Sequence, residues 1–311
     1  MTQAAEVGTA LKASAREKRR SRWTRDRIES RIFTVLKWVG VVFFVVVTVF
    51  PFLYMLLLSV RPIADLARDP GALFVSPERL TLGTYDEVLR SVAEGGQGFL
   101  SFLQNSFIIA AVAVVASLLL AIPGAYAISR IKFFGRRQVN FMFLAVYLFP
   151  AILLAIPLFV FFTRIGLRGS LLGLMIVYAS QTVPVTIHML RSYFETIPEA
   201  LEESAKIEGC NRFQVMRYVS IPLALPAIMS TGLFVFMIAW NEFLFALLFL
   251  ADKRENWTVS LGLSQLASST IEVPTTVVMA GAVILTVPII VLFFLTERLL
   301  VEGLTAGAEK G

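Results

Sequence analysis

Cysteine and histidine are almost absent from this sequence of 311 residues, which contains one of each, Cys210 and His188. A single cysteine excludes a disulfide within the chain and any metal cluster built on cysteine ligands. His188 has no cysteine, aspartate or second histidine at a ligand spacing, so we interpret it as a structural residue. The sequence therefore predicts neither a disulfide framework nor a metal site.

Catalytic motifs are missing as well. The chain contains no HExxH, no GxSxG and no carboxylate pair with a defensible spacing. A pairing of His188 with Cys210 or Glu242 would join different predicted elements, so an intramembrane enzyme has no support. A GxxxxGK[ST] phosphate loop is also absent. We therefore expect a protein that is not an enzyme and binds no cofactor; any ATP and Mg²⁺ would belong to a separate subunit.

Charged residues are scarce, at 16% of the chain, whereas hydrophobic residues make up 57%. Six apolar runs of about 20 residues or more are each long enough to cross a bilayer core of about 30 Å. They cover residues 36–59, 102–129, 139–162, 171–190, 223–250 and 276–295. Internal prolines such as Pro150, Pro157 and Pro288 are interpreted as packing kinks. The pattern predicts an all-α membrane protein with six transmembrane helices.

Basic residues predict how these helices are oriented. The turn between the second and third runs carries four of them, Arg130, Lys132, Arg136 and Arg137. The positive-inside rule places that turn in the cytoplasm, and the loops 163–170 and 251–275 then lie outside. Six spans bring both termini to the cytoplasmic side. Because the basic residues flank apolar runs, the net charge of +6 indicates membrane topology and not nucleic-acid binding.

The polar segment 196–222, between the fourth and fifth runs, has the pattern of two short capped helices. Thr196 and Glu199 have capping-box spacing, and Asn211 and Gln214 repeat it. Gly209, between the two, can adopt the left-handed conformation that closes a helix. The pattern predicts a compact helix–turn–helix. It is typical either of a plug for a soluble partner or of an ordinary solvated loop.

Polar side chains inside the predicted spans are the candidates for a translocation path. With nearby aromatic residues they form the set Tyr147, Tyr178, Gln181, Trp240, Asn241 and Glu242. One interpretation is hydrogen bonding between helices, and the other is a lining for a polar, uncharged substrate. The alternative function is a proton-coupled secondary transporter in which Glu242 relays protons. The inverted repeats common in such transporters are not visible here.

Two motifs resemble those of a known family. Glu203-Ser204-Ala205, then Gly209 and later Ile221-Pro222, resembles the EAA loop of binding-protein-dependent ABC importer permeases. Ser204 stands where that family commonly has alanine, and both residues are small. The C-terminal residues resemble the GLTAG-x-x-KG tail of MalG-like permeases in importers of the maltose and trehalose type. The matching tail positions are Gly303, Leu304, Thr305, Gly307 and Lys310.

The resemblance implies an ABC type I importer permease with the MetI-like fold, in the cell (inner) membrane. It covers the chain from about residue 33 and implies a first helix over 33–60, an extracytoplasmic loop over 61–101, a permease core over 102–296 that contains the coupling loop 196–222, and a cytoplasmic tail over 297–311. The preceding residues 1–32 are predicted from their basic composition to be a cytoplasmic tail. The expected partners are a second, MalF-like permease, a MalK-like ATPase dimer, an extracytoplasmic sugar-binding protein and membrane lipid. The cargo would be a di- or oligosaccharide such as trehalose or maltose, with other disaccharides and glycerol phosphate left open.

The resemblance also assigns roles to residues. The tail is expected to reach between the ATPase subunits, and Trp257 in the 251–275 loop is the candidate contact with the binding protein. Glu203, Ala205 and Gly209 would hold the coupling loop in the ATPase cleft. The full set expected to couple to the ATPase is Glu199, Ala200, Glu202, Glu203, Ser204, Ala205, Gly209 and Pro222.

Overall fold

The computed structural model describes residues 2–69, 77–268 and 273–308. Over this part of the chain all regular structure is helical, which confirms the all-α prediction. The α-helices are α1 Thr2–Ser59, α2 Ile63–Arg68, α3 Gly83–Leu89, α4 Phe99–Arg130, α5 Arg136–Leu148, α6 Ala151–Arg164, α7 Leu171–Phe194, α8 Glu199–Ile207, α9 Arg212–Val215, α10 Ile221–Leu223, α11 Leu225–Asn241, α12 Leu244–Leu250, α13 Val259–Ala267 and α14 Thr275–Ala308. Short 3₁₀ turns lie at Pro77–Arg79, Val92–Glu94 and Arg254–Asn256, and a π-helical segment at Met216–Ser220.

The first helix begins earlier than the sequence predicts. The backbone of α1 is helical from Thr2, whereas we expected a separate tail over 1–32. Alanine, arginine, lysine and glutamate are strong helix formers and are frequent in this basic segment. Its apolar part, Glu29–Ser59, is long enough to cross a membrane. The chain divides between Leu57 and Leu58 into two compact units, the first made by α1.

The second unit is built around α4, which packs against α7 and α11. Buried small residues recur along α4 every three or four positions, at Ala110, Ala113, Ser117, Ala121 and Ala125. Small side chains allow the backbones of membrane helices to approach closely. The hydroxyl oxygens of Ser117 and Thr182 lie 2.7 Å apart in this layer and connect α4 to α7. On the far side of α11, Trp240 Nε1 donates to the Leu285 carbonyl of α14 at 3.0 Å.

The described helices agree with six spans only when two bent pairs each count as one span. Four single helices are long and apolar enough to cross a membrane, namely Glu29–Ser59, Phe99–Arg130, Leu171–Phe194 and Thr275–Glu297. The helices α5 and α6 meet at an 89° bend, where Pro150 precedes α6. The segment Arg212–Leu223 meets α11 at a 76° bend. Pro150, predicted to be a packing kink, thus separates two helices because it cannot donate a backbone hydrogen bond.

The predicted fifth span, 223–250, is wrong in its extent. α11 ends at Asn241, and α12 starts only at Leu244. The Glu242 carboxylate between them accepts hydrogen bonds from the N–H groups of Phe245 at 2.9 Å and Ala246 at 3.2 Å. It therefore caps α12, whose first amides have no partner inside the helix. Hydropathy does not register this break, because the residues on both sides are apolar.

The loops of the second unit form two groups, one at each end of its long helices, and hydrogen bonds connect the loops within each group. At the 251–258 end, Asn105 Nδ2 of α4 donates to the Trp257 carbonyl at 3.0 Å. There Asn256 Nδ2 also donates to the Gly169 carbonyl at 2.7 Å. At the 196–222 end, Arg130 closes α4 and donates to the carbonyl of Phe194, the last residue of α7, at 2.7 Å. The two ends are therefore built from different sets of loops.

Gly262 of α13 provides a test of packing at the 251–258 end. A Cβ atom at this position would lie 2.4 Å from Cδ2 of Phe102, whose buried ring contacts the Trp257 ring with centroids 5.7 Å apart and planes tilted by 43°. We expect Gly262→Ala to lower the free energy of unfolding by about 1–3 kcal/mol, the usual cost of overpacking. Thermal unfolding of the purified protein measures this loss. In the control Gly40→Ala the new Cβ meets nothing within 4 Å, so an equal loss there would contradict the packing argument.

Candidate functional site

The 196–222 loop folds as a helix–turn–helix, but its first cap differs from the prediction. The capping box at Thr196 is wrong, since the Thr196 hydroxyl donates to the Tyr193 carbonyl at 2.8 Å and α8 starts after Pro198 without a side-chain cap. The second box is confirmed. Asn211 and Gln214 each bond the other's backbone N–H, at 3.0 and 2.8 Å. The Thr196 hydroxyl therefore satisfies a carbonyl of the last turn of α7 and does not cap α8.

Gly209 turns the chain from α8 to α9. Its φ of 93° lies in the left-handed region, where side chains with a Cβ are disfavoured. The second helical segment then passes through the π-helical residues Met216–Ser220 before it reaches Pro222. A π-helical turn inserts one extra residue and rotates the side chains that follow. Ser220, at its end, is fully buried.

Only part of the predicted coupling set is exposed. Glu203 points outward, as do Glu199, Ala200, Ser204, Gly209 and Pro222. Glu202 and Ala205, three residues apart on α8, face the protein instead and are 2% and 9% exposed. The outer face also carries four exposed large apolar or aromatic side chains, Leu201, Ile207, Phe213 and Tyr218, which we call the apolar knobs. Ile207, at 87% exposure, projects furthest.

Glu202 is the acceptor of a buried network that sequence reasoning missed. Arg130 Nε and Ser220 Oγ both donate to Glu202 Oε1, at 3.0 and 2.9 Å. The Tyr126 hydroxyl donates to Glu202 Oε2 at 3.3 Å. We call these four residues the Arg130 cluster. Removing one partner of a buried ion pair of this kind commonly costs about 3–5 kcal/mol.

The family motif drew attention to Glu203, whereas the structure places Glu202 in the interior. Arg130 entered the sequence argument only as a marker of topology. The spacing of Glu202 and Ala205 was the available signal, because residues three apart share one face of a helix. Which distant cation meets that face could not be predicted from the spacing.

The predicted translocation residues do not form one continuous lining. Tyr178 and Trp240 are buried, and the Tyr178 hydroxyl donates to the Glu242 carboxylate. Asn241 is exposed, although its Nδ2 donates back to the Met237 carbonyl at 2.9 Å. The Glu242 carboxylate is therefore occupied by Tyr178 and by the start of α12. Its role in this structure is that of a helix cap.

Gln181 and Tyr147 remain as polar groups with capacity to bind. Gln181 Nε2 is inaccessible to solvent and has no hydrogen-bond partner among the residues that the structure describes. A buried donor of this kind is costly to leave without an acceptor. Tyr147 is 44% exposed on α5. An open groove of about 400 Å³ lies elsewhere, lined by Leu103, Gln104, Phe107, Ile108, Trp240 and Pro288.

Trp257 is half-buried at the 251–258 end. Its Nε1 donates to the Leu250 carbonyl at 3.1 Å, and Arg254 lies over its ring at 5.5 Å from the centroid. The neighbouring Lys253, Arg254 and Glu255 are exposed. The side chains available for contact at this end are therefore the charged ones. Trp257 packs beneath the Arg254 guanidinium and is itself less exposed.

The predicted tail lies only partly within the described residues. The backbone at Gly303, Leu304, Thr305 and Gly307 continues helix α14, whereas Lys310 lies outside the described residues. Among the residues that the structure describes, no group of three or more His, Cys, Asp or Glu side chains could hold a metal ion.

Comparison with known proteins identifies the family. Residues 113–304 match the family described as "Binding-protein-dependent transport system inner membrane component". The chain is 36% identical to the inner membrane ABC transporter permease protein YcjP of Escherichia coli, over 88% of this chain and 95% of that protein. It is 34% identical to the trehalose/maltose transport system permease protein MalG of Thermococcus litoralis, over 92% of this chain and 99% of that protein.

A solved structure agrees with these matches. A chain of a bacterial ABC transporter involved in the import of the acidic polysaccharide alginate superposes with a TM-score of 0.73 at 26% identity, over 86% of this chain and 96% of that one. These relatives are named as transporter components and permeases, not as enzymes. The chain therefore belongs to the family of binding-protein-dependent transport system inner membrane components and is a multi-pass permease subunit.

Proposed function

We propose that this chain is one of two permease subunits of an ATP-driven importer that accepts a sugar from an extracytoplasmic binding protein. The names of relatives support a sugar, since they include permeases for trehalose/maltose, trehalose and diacetylchitobiose. Within the sugars, we propose trehalose or maltose as the transported substrate, because two of these relatives are named for them. The second permease would be MalF-like.

The apolar knobs of the 196–222 loop are the observation that carries this proposal. They are exposed on a helix–turn–helix whose second helix is capped and whose other exposed residues are mostly polar. Large apolar groups exposed on a polar surface are typical of a docking site. We assign this site to a MalK-like ATPase dimer, which would bind ATP and Mg²⁺, and we expect this chain to bind neither. The tail from Gly303 to Lys310 would reach the same ATPase.

The 196–222 end faces the cytoplasm in this proposal, and both termini lie on the same side. Basic residues support the orientation, because Arg130 ends α4, Lys132 lies in the turn that follows, and Arg136 and Arg137 begin α5, all at this end. The 251–258 end then faces the binding protein through Lys253 and its exposed neighbours. Trp257 would contribute to that contact by holding Arg254 in position.

The cargo path would be completed by the second permease. Tyr147 and Asn241 present exposed polar groups to the cargo or to the partner permease. Gln181, whose Nε2 is buried, would donate to a sugar hydroxyl only after the helices around it move. Tyr178, Trp240 and Glu242 would not contact the cargo; they would hold the helices that carry the lining residues in place. Uncharged hydrogen-bonding groups suit a sugar, whose hydroxyls both donate and accept.

ATP dependence separates this proposal from proton-coupled transport. We expect a tag on this chain to copurify a second permease and an ATPase at comparable abundance, identified by mass spectrometry. In vesicles loaded with ATP, the complex should take up labelled trehalose or maltose when the binding protein is added. Dissipation of the proton gradient should not reduce that uptake. A chain that purifies alone and transports without ATP would overturn the proposal.

A further inference from the structure

We propose that Arg130 is a positioning residue that fixes the 196–222 loop to the ends of two membrane helices, so that loop and helices move as one body. This inference rests on the proposed function, because it concerns how movement of the docked ATPase reaches the membrane. It assigns a role to Arg130, Glu202 and Ser220 that the docking surface itself does not require.

Arg130 connects three segments through one side chain. Its Nε donates to Glu202 of α8 at 3.0 Å. Its Nη2 donates to the carbonyls of Phe194 at 2.7 Å and Ile197 at 2.5 Å, where α7 ends and the loop begins. The planar guanidinium has five donors in a fixed fork, which suits simultaneous binding of a carboxylate and several carbonyls. The end of α4 is thereby joined to the end of α7 and to the loop.

Glu202 extends the connection to the other side of the loop. The oxygen that binds Arg130 also accepts from Ser220 at 2.9 Å, and Ser220 ends the π-helical segment before α10. Without the π-helical turn, the side chain at position 220 would point in a different direction. The cluster thus holds both helices of the loop against α4, on the path that leads to α11.

The surroundings exclude water from these bonds. The side chains of Arg130 and Glu202 are 8% and 3% exposed. The ring of Tyr126 packs edge to face on Phe194 with centroids 5.9 Å apart. Buried, charge-assisted hydrogen bonds are stronger and more directional than those in water. A flexible surface contact would not transmit movement in this way.

Glu199 shows the contrast with an exposed contact. Its Oε1 lies 3.5 Å from Arg130 Nη1, but its side chain is 76% exposed. Exposed ion pairs contribute little and are screened by salt. The positioning function is therefore assigned to Glu202 and not to Glu199.

The test uses the assembled complex with its binding protein and follows a conformational change that requires no knowledge of the sugar. All variants are made in a Cys210→Ser background with Gln104→Cys as the reporter, because Gln104 is exposed in the open groove beside Trp240 and has no role in the proposed cargo path. Labelling of the new cysteine by a maleimide is timed with and without ATP and Mg²⁺. The rate of ATP hydrolysis is measured on the same samples. We expect ATP to raise the labelling rate when the chain is otherwise unchanged.

The informative variant is the double change Arg130→Gln with Glu202→Gln. It removes both charges together, so neither is left buried without its partner. We expect ATP hydrolysis to persist while the ATP-dependent rise in labelling falls by at least about threefold, within the range reported for mutations along coupling networks. Arg130→Lys keeps one charge but loses the fork geometry, and it should give an intermediate rise.

Arg137→Gln is the matched control, since it removes one positive charge from an exposed position in the first turn of α5, seven residues from Arg130. It should show the same ATP-dependent increase in labelling rate as the chain that carries only the two cysteine substitutions. A full ATP-dependent rise in the double variant would overturn the positioning role and leave the proposed function intact. Absence of any rise in the otherwise unchanged chain would overturn the proposed function, and this inference with it.

Discussion

Gly209→Val is expected to reduce ATP-driven sugar uptake by at least about tenfold, a change of about 1.4 kcal/mol in coupling. Gly209 has a φ of 93°, and a Cβ there would meet nothing within 4 Å, so the backbone alone opposes the substitution. A β-branched residue in the left-handed region is a strong outlier, which the chain relieves by rotating out of it. That rotation would redirect α9 relative to α8 and displace Phe213 from the other apolar knobs. Uptake and ATP hydrolysis by the reconstituted complex measure the effect, and hydrolysis should be less affected than uptake.

Gly166→Val is the control for backbone strain. Gly166 has a φ of 75° and also has nothing within 4 Å of a built Cβ, but it lies in the turn between α6 and α7, at the 251–258 end. Both variants should lose similar thermal stability, about 1–2 kcal/mol for a left-handed residue with a Cβ. Only Gly209→Val should separate hydrolysis from uptake. Equal loss of uptake in the two variants would show that general destabilisation, and not the position of α9, is responsible.

Glu242→Leu is expected to have the largest effect on stability, lowering the free energy of unfolding by about 3 kcal/mol or more, since each buried group left unsatisfied costs about 1–3 kcal/mol. The substitution removes the acceptor for the N–H groups of Phe245 and Ala246 and for the Tyr178 hydroxyl. Leucine would also favour an unbroken helix through this position. Thermal unfolding and the yield of complex that copurifies with the ATPase measure the loss.

Two milder variants separate the capping role of Glu242 from proton transfer. Tyr178→Phe removes one hydrogen bond and should cost about 1 kcal/mol. Glu242→Gln keeps a side-chain oxygen that can accept from α12, so we expect a folded protein whose ATP-driven uptake is largely preserved. Folded Glu242→Gln protein without uptake, together with uptake by the unmodified chain that collapses with the proton gradient, would instead support a relay.

The two glutamate positions show how far local sequence patterns reach. The EAA-like spacing located the loop, its glycine turn and the Asn211–Gln214 cap, since those features depend on residues a few positions apart. It did not reveal that Glu202 and not Glu203 is buried, because burial depends on α4 and the π-helical segment. Thr196 has capping spacing for α8, yet its hydroxyl donates to the Tyr193 carbonyl at the end of α7.

The all-α membrane class, the approximate position of each apolar segment, the absence of a phosphate loop and the motifs that indicate a permease could all be read from the amino-acid sequence. Apolar length and turn chemistry are local properties, so they are visible without a fold. The tertiary structure decided that the fifth span breaks at Glu242, that Pro150 bends the third, and that Arg130 reaches two helix ends at once. Each of these depends on where a polar group finds its partner, and here those partners lie on segments that only folding brings together.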